Sequence, residues 1–167
     1  MIIAILSDIH DNLPRLRDAL RQAAEAEILI CCGDLCSPFV AKELGQGFPG
    51  PVHVVFGNND GDRFRIAANG ARHPHLTFHG EYVELELGGR RFAVNHFDNI
   101  GRAIAQGRVF DVVCYGHNHQ FELTSHGRTL AINPGEIYGG LTGASTFVLY
   151  DSETHAARRI DLPIPPP

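Results

Sequence analysis

Three short apolar runs, separated by segments of helical character, most strongly constrain how this chain can fold. The runs are MIIAIL, ILICC and PVHVVF, and each is followed by small or polar residues. Between the first two lies NLPRLRDALRQAAEAE, in which Asn12 is a candidate N-cap and leucines recur at helical spacing. A shorter helical segment, PFVAKEL, precedes the third run. Because continuously apolar runs suit strands buried on both faces, the pattern predicts a parallel sheet with right-handed crossovers.

The chain after Gly61 is richer in strand patterns. DRFRIAANGA is expected to be helical, whereas LTFHGEYVELELGGRRFAVNHF alternates with period two around a Gly-Gly turn and predicts an antiparallel hairpin. RAIAQG predicts one more short helix, and no long helix is expected after residue 107. Further strands are expected at FDVVCYG, FELTSHG, TLAINPG, STFVLYD and ARRIDLP. So many strands in a small α/β domain predict two sheets packed face to face, with helices outside the first.

Length and charge exclude several classes of protein. The 167 residues are expected to form one domain, which we place at residues 1–163, with a short Pro-rich tail at residues 164–167. The apolar start is too short to span a membrane and lacks a basic flank, so we expect a cytoplasmic protein with no membrane partner. A formal net charge of -5 argues against specific nucleic-acid binding. A homodimer is left open.

Polar side chains that suit metal binding follow the predicted strands. Asp8 and His10 are two residues apart and would point to one side of an extended segment. Carboxylate, amide oxygen and imidazole suit a hard-to-borderline divalent metal, and seven such groups are too many for one ion. They suit two ions about 3.5–4 Å apart that share a carboxylate, an arrangement that hydrolyses phosphate esters. The seven candidate ligands are Asp8, His10, Asp34, Asn58, His96, His117 and His119.

Each of these motifs alone has a structural alternative. Asn58 could be a turn residue, and Asp34 could cap the next helix, but their joint occurrence at successive strand ends favours a site. GQGFPG matches a dinucleotide-binding glycine pattern, yet it contains Pro49 and precedes a strand, so we reject that interpretation. We interpret the remaining candidates as packing or surface residues rather than redox or metal groups: Cys31, Cys32, Cys36, His53, His73, His75, His79, His126 and His155.

The motifs SDIHDN, CCGD, FGNND, NHFD and YGHNH, in this order, resemble those of the calcineurin-like metallophosphoesterases over nearly the whole chain. The closer resemblance is to small single-domain bacterial and archaeal phosphodiesterases. It implies a four-layer α/β/β/α sandwich with two packed mixed β-sheets flanked by helices. It also implies two divalent metal ions, manganese above all, with iron, zinc or nickel as alternatives. One ion would bind Asp8, His10, Asp34 and His119; the other would bind Asp34 as the bridge, Asn58, His96 and His117.

The activity implied by the resemblance is hydrolysis of a phosphate ester, most of all a phosphodiester, by in-line attack of a metal-bridging hydroxide. Many relatives carry a histidine directly after the metal-binding asparagine, where it protonates the leaving group or stabilises the transition state. Asn59 occupies that place here, and an amide cannot give up a proton at neutral pH, so Asn59 joins Asp34 as a candidate catalytic position. Asp98 stands where relatives have a second histidine, and no arginine follows the NPG turn.

Two other functions stay open at this point. A eukaryotic retromer subunit of the same branch is a scaffold, so a non-catalytic metal-binding or protein-interaction scaffold of this fold is one alternative. The other is a dinuclear metal protein that acts on something other than a phosphate ester. Retention of all seven ligand positions argues against the scaffold, because a scaffold has no chemical need for four convergent imidazoles.

Overall fold

Two β-sheets pack face to face, with helices on both outer sides. The computed structural model describes residues 1–163, and the expected tail at residues 164–167 lies outside the described residues. Three separate apolar clusters fill the spaces between helices and first sheet, between the two sheets, and between second sheet and helix. This arrangement confirms the predicted α/β/β/α sandwich.

The first sheet has six strands in the order β11-β10-β1-β2-β3-β4. These strands are β1 (Ile2–Leu6), β2 (Ile28–Cys31), β3 (Val52–Val54), β4 (Leu76–Phe78), β10 (Ser145–Asp151) and β11 (Ala156–Leu162). Strands β1 to β4 run parallel, while β10 pairs antiparallel with both β1 and β11. The sequence assigned Leu76–Phe78 to the hairpin, and this was wrong. Leu76 turns inward against the helices, so the segment extends the parallel sheet at its edge.

Three helices cover the outer face of the first sheet: α1 (Leu13–Gln22), α2 (Pro38–Gly47) and α3 (Arg63–Gly70). Helix α1 begins as predicted, because the Asn12 side chain accepts a hydrogen bond from the Arg15 N–H at 3.3 Å. Its leucines Leu16 and Leu20 are buried against the sheet. None of the helices in the described part of the chain is long and apolar enough to cross a bilayer.

The second sheet has five strands in the order β5-β6-β7-β9-β8. They are β5 (Tyr82–Leu87), β6 (Arg90–Asn95), β7 (Val112–Cys114), β8 (Phe121–His126) and β9 (Thr129–Pro134), and helix α4 (Asp98–Gly107) lies outside them. Strands β5 and β6 form the predicted hairpin, whose Gly88 and Gly89 both have positive φ. Within residues 1–163, no helix follows α4, as expected.

The core between the sheets explains the adjacent cysteines. Cys31 packs with the cluster beneath the helices, whereas Cys32 packs between the two sheets. Successive side chains of a strand point to opposite faces, so each thiol fills a different core. All four cysteines are free, and Cys31, Cys32 and Cys114 are fully buried. This placement is in keeping with the interpretation of Cys31 and Cys32 as packing residues, whereas Cys36 is half-buried.

Helix α4 approaches the second sheet closely at Gly101. A Cβ added there would lie 2.3 Å from Cδ1 of the Tyr115 ring, which is itself fully buried. We therefore expect Gly101→Ala to lower the free energy of unfolding by about 1–3 kcal/mol, because the helix must move off the sheet. Urea denaturation measures the change.

Gly107 is the matched control, because it lies in the same helix and a Cβ added there would meet no atom within 4 Å beyond its chain neighbours and the backbone of its own helix. Gly107→Ala should leave stability unchanged or raise it slightly, through the higher helix propensity of alanine. Equal destabilisation by the two substitutions would contradict the packing argument.

Candidate metal centre

The candidate ligands follow strands of both sheets and converge at one edge of the sandwich. Asp8 and His10 follow β1, Asp34 follows β2, and Asn58 follows β3. The second sheet contributes the three remaining histidines after β6 and β7: His96, His117 and His119. Since parallel strands end at a common edge, residues far apart in the chain meet there. The structure brings all seven sequence-predicted ligands together.

One group of side chains surrounds the carboxylates of Asp8 and Asp34. His10 Nε2 lies 3.9 Å from Asp8 Oδ1 and 3.4 Å from Asp34 Oδ2. His119 Nε2 lies 3.5 Å from Asp8 Oδ1. Asp8, His10 and His119 each offer one ligand atom, and these atoms lie within 4.8 Å of one another. A single ion could therefore contact all three.

The second group is centred on the side-chain oxygen of Asn58. Asn58 Oδ1 lies 3.0 Å from His96 Nε2 and 2.9 Å from His117 Nδ1. His96 Nε2 also lies 3.4 Å from Asp34 Oδ2. Asp34 Oδ2 thus faces His10 from the first group and His96 from the second at equal distance. That is the place required of a shared carboxylate.

The backbone at these positions is not extended, so the expectation that strand alternation brings Asp8 and His10 together was wrong. Both residues have positive φ, at 53° and 45°. Positive φ also occurs at Asp34, His117 and His119. For non-glycine residues this left-handed region is sparsely populated, and such strain concentrates at functional sites. Tight left-handed turns, rather than strand alternation, aim these side chains inward.

Outer hydrogen bonds orient three of the four imidazoles. His96 Nδ1 donates to the Cys32 carbonyl oxygen at 2.8 Å, and His119 Nδ1 donates to Glu136 Oε2 at 2.7 Å. His10 Nδ1 lies 3.4 Å from Cys36 Sγ. In each ring Nε2 then points to the centre of the site. A proton held on Nδ1 leaves the lone pair of Nε2 free for a metal.

Asp60 joins the turns that carry Asp34 and Asn58. Its Oδ1 accepts hydrogen bonds from the backbone N–H groups of Leu35 and Cys36 at 2.8 and 2.9 Å. Its Oδ2 accepts from Gly57 N at 2.7 Å and from Asp34 N at 3.2 Å. Asp60 is only 3% exposed. Its carboxylate therefore holds both turns together.

Asn59 contacts the Asp34 carboxylate directly. Its backbone N–H donates to Asp34 Oδ1 at 2.8 Å, and its side-chain amide donates to Asp34 Oδ2 at 2.7 Å. Asp98 binds Arg102 and accepts a hydrogen bond from Asn118 Nδ2 at 3.3 Å. Asp98 therefore belongs to the support of helix α4 and the neighbouring loop.

The protonation of the site follows from its burial and charge. Burial by itself raises the pKa of Asp34, but His96 and the hydrogen bonds from Asn59 outweigh burial and hold that pKa well below its ordinary value. The nearby Asp8 carboxylate raises the pKa of His10 against the effect of burial. Burial lowers the pKa of His96, yet the Asp34 and Asp8 carboxylates together raise it above 6.5.

The donor set fits divalent metal ions. Asp8 Oδ1 and His10 Nε2 are buried and have no hydrogen-bond partner among the described residues. Leaving such atoms unpaired costs free energy unless a ligand completes them, and imidazole, carboxylate and amide donors suit manganese, iron, zinc and nickel. Burial raises the pKa of the Cys36 thiol to about 12, helped by the Asp34 charge, so this thiol stays protonated.

Two further side chains that sequence reasoning did not single out support the site. Glu136 is fully buried and binds His119, and Asn133 donates through Nδ2 to the Gly116 carbonyl oxygen and to Asn118 Oδ1, both at 2.9 Å. Their signal in the sequence is the NPGE segment, where a buried strand ends in polar residues. Nothing in the spacing connects that segment with the histidines.

Comparison with known proteins agrees with this geometry. A family model described as the calcineurin-like phosphoesterase superfamily domain matches residues 1–155. A phosphodiesterase of Methanocaldococcus jannaschii is 34% identical over 167 residues, which cover 97% of this chain and 99% of that protein. The solved structure of an archaeal phosphodiesterase is 32% identical with a TM-score of 0.86, and covers 97% of this chain and 100% of that one.

A more distant solved structure is Vps29 of Entamoeba histolytica complexed with zinc, at 19% identity and a TM-score of 0.65 over 96% of this chain and 99% of that one. This similarity concerns the fold alone. The family model and the archaeal relative cover nearly the whole chain, and the motifs on which the resemblance was based carry the residues that meet at the sheet edge. The protein belongs to the calcineurin-like phosphoesterase superfamily.

Proposed function

We propose that the protein is a dinuclear-metal phosphodiesterase that hydrolyses its substrate by in-line displacement at phosphorus. Family membership makes it a phosphoesterase, hence a hydrolase. The observation that carries the finer proposal is the position of Asp34 Oδ2, 3.4 Å from both His10 Nε2 and His96 Nε2. One carboxylate oxygen between two sets of ligands favours a pair of ions over a single one.

Each proposed ion has four ligands from this chain. Asp8, His10, Asp34 and His119 would hold one, while Asp34, Asn58, His96 and His117 would hold the other. Manganese is the proposed metal. When bound, the two ions would lower the pKa of water to supply the attacking hydroxide and would neutralise charge on the phosphoryl oxygens.

The protein contributes orientation and charge balance to this chemistry. Asp34 stays ionised, and its two carboxylate oxygens are fixed by Asn59. Asp8 and Asp34 are the acidic ligands among the seven, so they offset only part of the charge of two divalent ions. The remaining positive charge attracts an anionic ester and stabilises its transition state.

A phosphodiester is the proposed substrate class. The Methanocaldococcus relative is named a phosphodiesterase and is similar over nearly the whole chain. We also propose that residues 1–163 act as one catalytic domain, because ligands from both sheets are needed for the site.

Removing the charge of Asp34 should abolish metal binding, while the side chain keeps its shape. We expect Asp34→Asn to lose bound manganese and to lower kcat for bis(nitrophenyl) phosphate by at least about 10², since a shared ligand serves both ions. Elemental analysis of the purified protein and a colorimetric assay with added manganese measure the two effects.

Asp18→Asn is the matched control, because Asp18 lies on helix α1 and pairs with Arg21. It should bind metal and turn over as the wild type does. Full activity of Asp34→Asn would refute the shared-ligand mechanism, and a wild type with neither metal nor turnover would favour the scaffold.

Metal affinity should fall as the solution becomes more acidic. The carboxylates raise the pKa of His10 and His96 in the metal-free protein, so protons bind these two rings more tightly than they bind a free imidazole. Their protonated forms persist above pH 6.5, and metal must displace a proton there. The same shift stabilises the metal-free fold at low pH and loses that effect as pH rises through the raised pKa values. Calorimetric manganese titrations between about pH 5 and 8 test this; an affinity independent of pH would contradict it.

A histidine at position 59 should supply the general acid that this chain lacks. Asn59→His and Asn59→Ala both remove the amide hydrogen bond to Asp34 Oδ2, so a comparison of the two isolates the acid. We expect the histidine variant to exceed the alanine variant by up to about 10² for poor leaving groups and by much less for nitrophenolate. Equal ratios for both leaving groups would show that position 59 does not reach the leaving oxygen.

A further inference from the structure

The two carboxylate oxygens of Glu136 accept hydrogen bonds from different places, one from a candidate metal ligand and the other from a surface loop. Oε2 accepts the hydrogen bond from His119 Nδ1 at 2.7 Å. Oε1 accepts three hydrogen bonds, from Leu141 N at 3.1 Å and from Thr142 N and Oγ1 at 2.7 Å each. The side chain is fully buried. A carboxylate can accept at both oxygens at once, and no neutral side chain of the same shape can do so.

The loop held by Glu136, residues 137–144, forms a wall beside the candidate metal centre. Its start is tied to the first ligand, since Ile137 N donates to Ser7 O at 3.0 Å and Tyr138 N donates to Asp8 O at 2.9 Å. The side chains of Tyr138 and Leu141 are 38% and 70% exposed. They project from a loop whose backbone is fixed at both ends.

Two cavities meet at this wall. One, of about 360 Å³, is lined by His10, Tyr138, Leu141 and His119 among others. The other, of about 440 Å³, is lined by His119, Leu141, Thr142 and Arg159 among others. Leu141 and His119 border both cavities. A phosphodiester bound at the metals has two ester groups, and these cavities are the spaces next to His119 that could receive them.

We propose that Glu136 is a positioning residue with two effects. It determines which ring nitrogen His119 offers to a metal, and it fixes the shape of the wall at residues 137–144, against which an ester group of the substrate packs. The inference rests on the proposed function for its substrate part. Its tautomer part concerns only this chain's own residues.

The substitution Glu136→Gln separates the two tasks, because an amide accepts at one end and donates at the other. If its oxygen remains with the loop, the NH₂ group faces His119 Nδ1, which must then accept and move its proton to Nε2. If the oxygen turns to His119, the NH₂ group faces the N–H groups of Leu141 and Thr142. Three donors on the loop side against one on the His119 side favour the first orientation.

Thr142→Val is the matched variant for the loop alone. It removes the hydroxyl that donates to Glu136 Oε1 and leaves the hydrogen bond to His119 untouched. Thr142 is exposed, so the change does not disturb the core. Thr142→Val therefore alters the wall and spares the metal ligand, whereas Glu136→Gln alters the contact with the metal ligand and keeps an acceptor for the loop.

The first test is NMR of the metal-free protein, with ¹⁵N-edited spectra of the histidine side chains. The wild type and Thr142→Val should show His119 protonated at Nδ1, and Glu136→Gln should show it protonated at Nε2. Amide spectra of all three proteins establish that they fold. A wild-type tautomer in a folded Glu136→Gln protein would overturn the tautomer part of the proposal, whether or not the protein hydrolyses phosphodiesters.

The second test compares manganese affinity with kinetics on bis(nitrophenyl) phosphate. Glu136→Gln should weaken manganese binding by about 10–100-fold, and Thr142→Val should leave it unchanged. At saturating manganese Thr142→Val should raise KM for the diester, since it loosens the wall, whereas Glu136→Gln, whose amide oxygen stays with the loop, should leave KM close to the wild-type value. Wild-type metal affinity in Glu136→Gln would refute the part of the proposal that concerns His119, and an unchanged KM in Thr142→Val would refute the part that concerns the wall. A wild type that binds manganese and hydrolyses no diester would instead sink the proposed function and leave the tautomer result standing.

Discussion

The hydrogen bonds to the Asp60 carboxylate hold the site in its shape. Four backbone N–H groups from two turns, after β2 and after β3, converge on its two oxygens. Burial raises the pKa of Asp60, and the N–H groups of Gly57 and Cys36 oppose that rise. Hydrogen bonds to a buried charge are worth about 1.5–3 kcal/mol each, and losing the acceptor would leave four donors unpaired. The left-handed turn at Asp34 persists because this interaction compensates for its strain.

Much of the fold and the outline of the site could be predicted from the sequence because both follow local rules. Strand ends after apolar runs located all seven candidate ligands, and the Gly-Gly turn located the hairpin. The parts that escaped prediction depend on contacts between distant segments. Asp60 reaches backbone groups 24–26 residues away, and Glu136 reaches a ring 17 residues away, through interactions that leave no spacing pattern. Strand β4 escaped because three residues are too few to show which sheet they join.

The site also depends on how the two sheets pack. Asp8, Asp34 and Asn58 come from the first sheet, whereas His96, His117 and His119 come from the second. Residues such as Ile5, Ile30, Val94 and Cys114 fill the space between the sheets and so set the distance between the two groups of ligands. Interiors of this kind are close-packed and resist compression. The distance between the two groups of candidate ligands is therefore set by apolar residues that are not part of the site.

Metal binding and folding are thermodynamically linked in this protein. In the metal-free protein Asp8 Oδ1 and His10 Nε2 are buried without a partner among the described residues, and several ligands hold strained backbone. An ion that binds only the folded chain would stabilise it in proportion to the logarithm of metal concentration over the dissociation constant. The fold retains this unfavourable arrangement because two apolar interfaces outside the site hold its sheets and helices together without help from the metal. A metal-dependent hydrolase requires a rigid fold whose candidate metal ligands lack hydrogen-bond partners in the metal-free state. Preorganised ligands of this kind need no rearrangement when a metal binds.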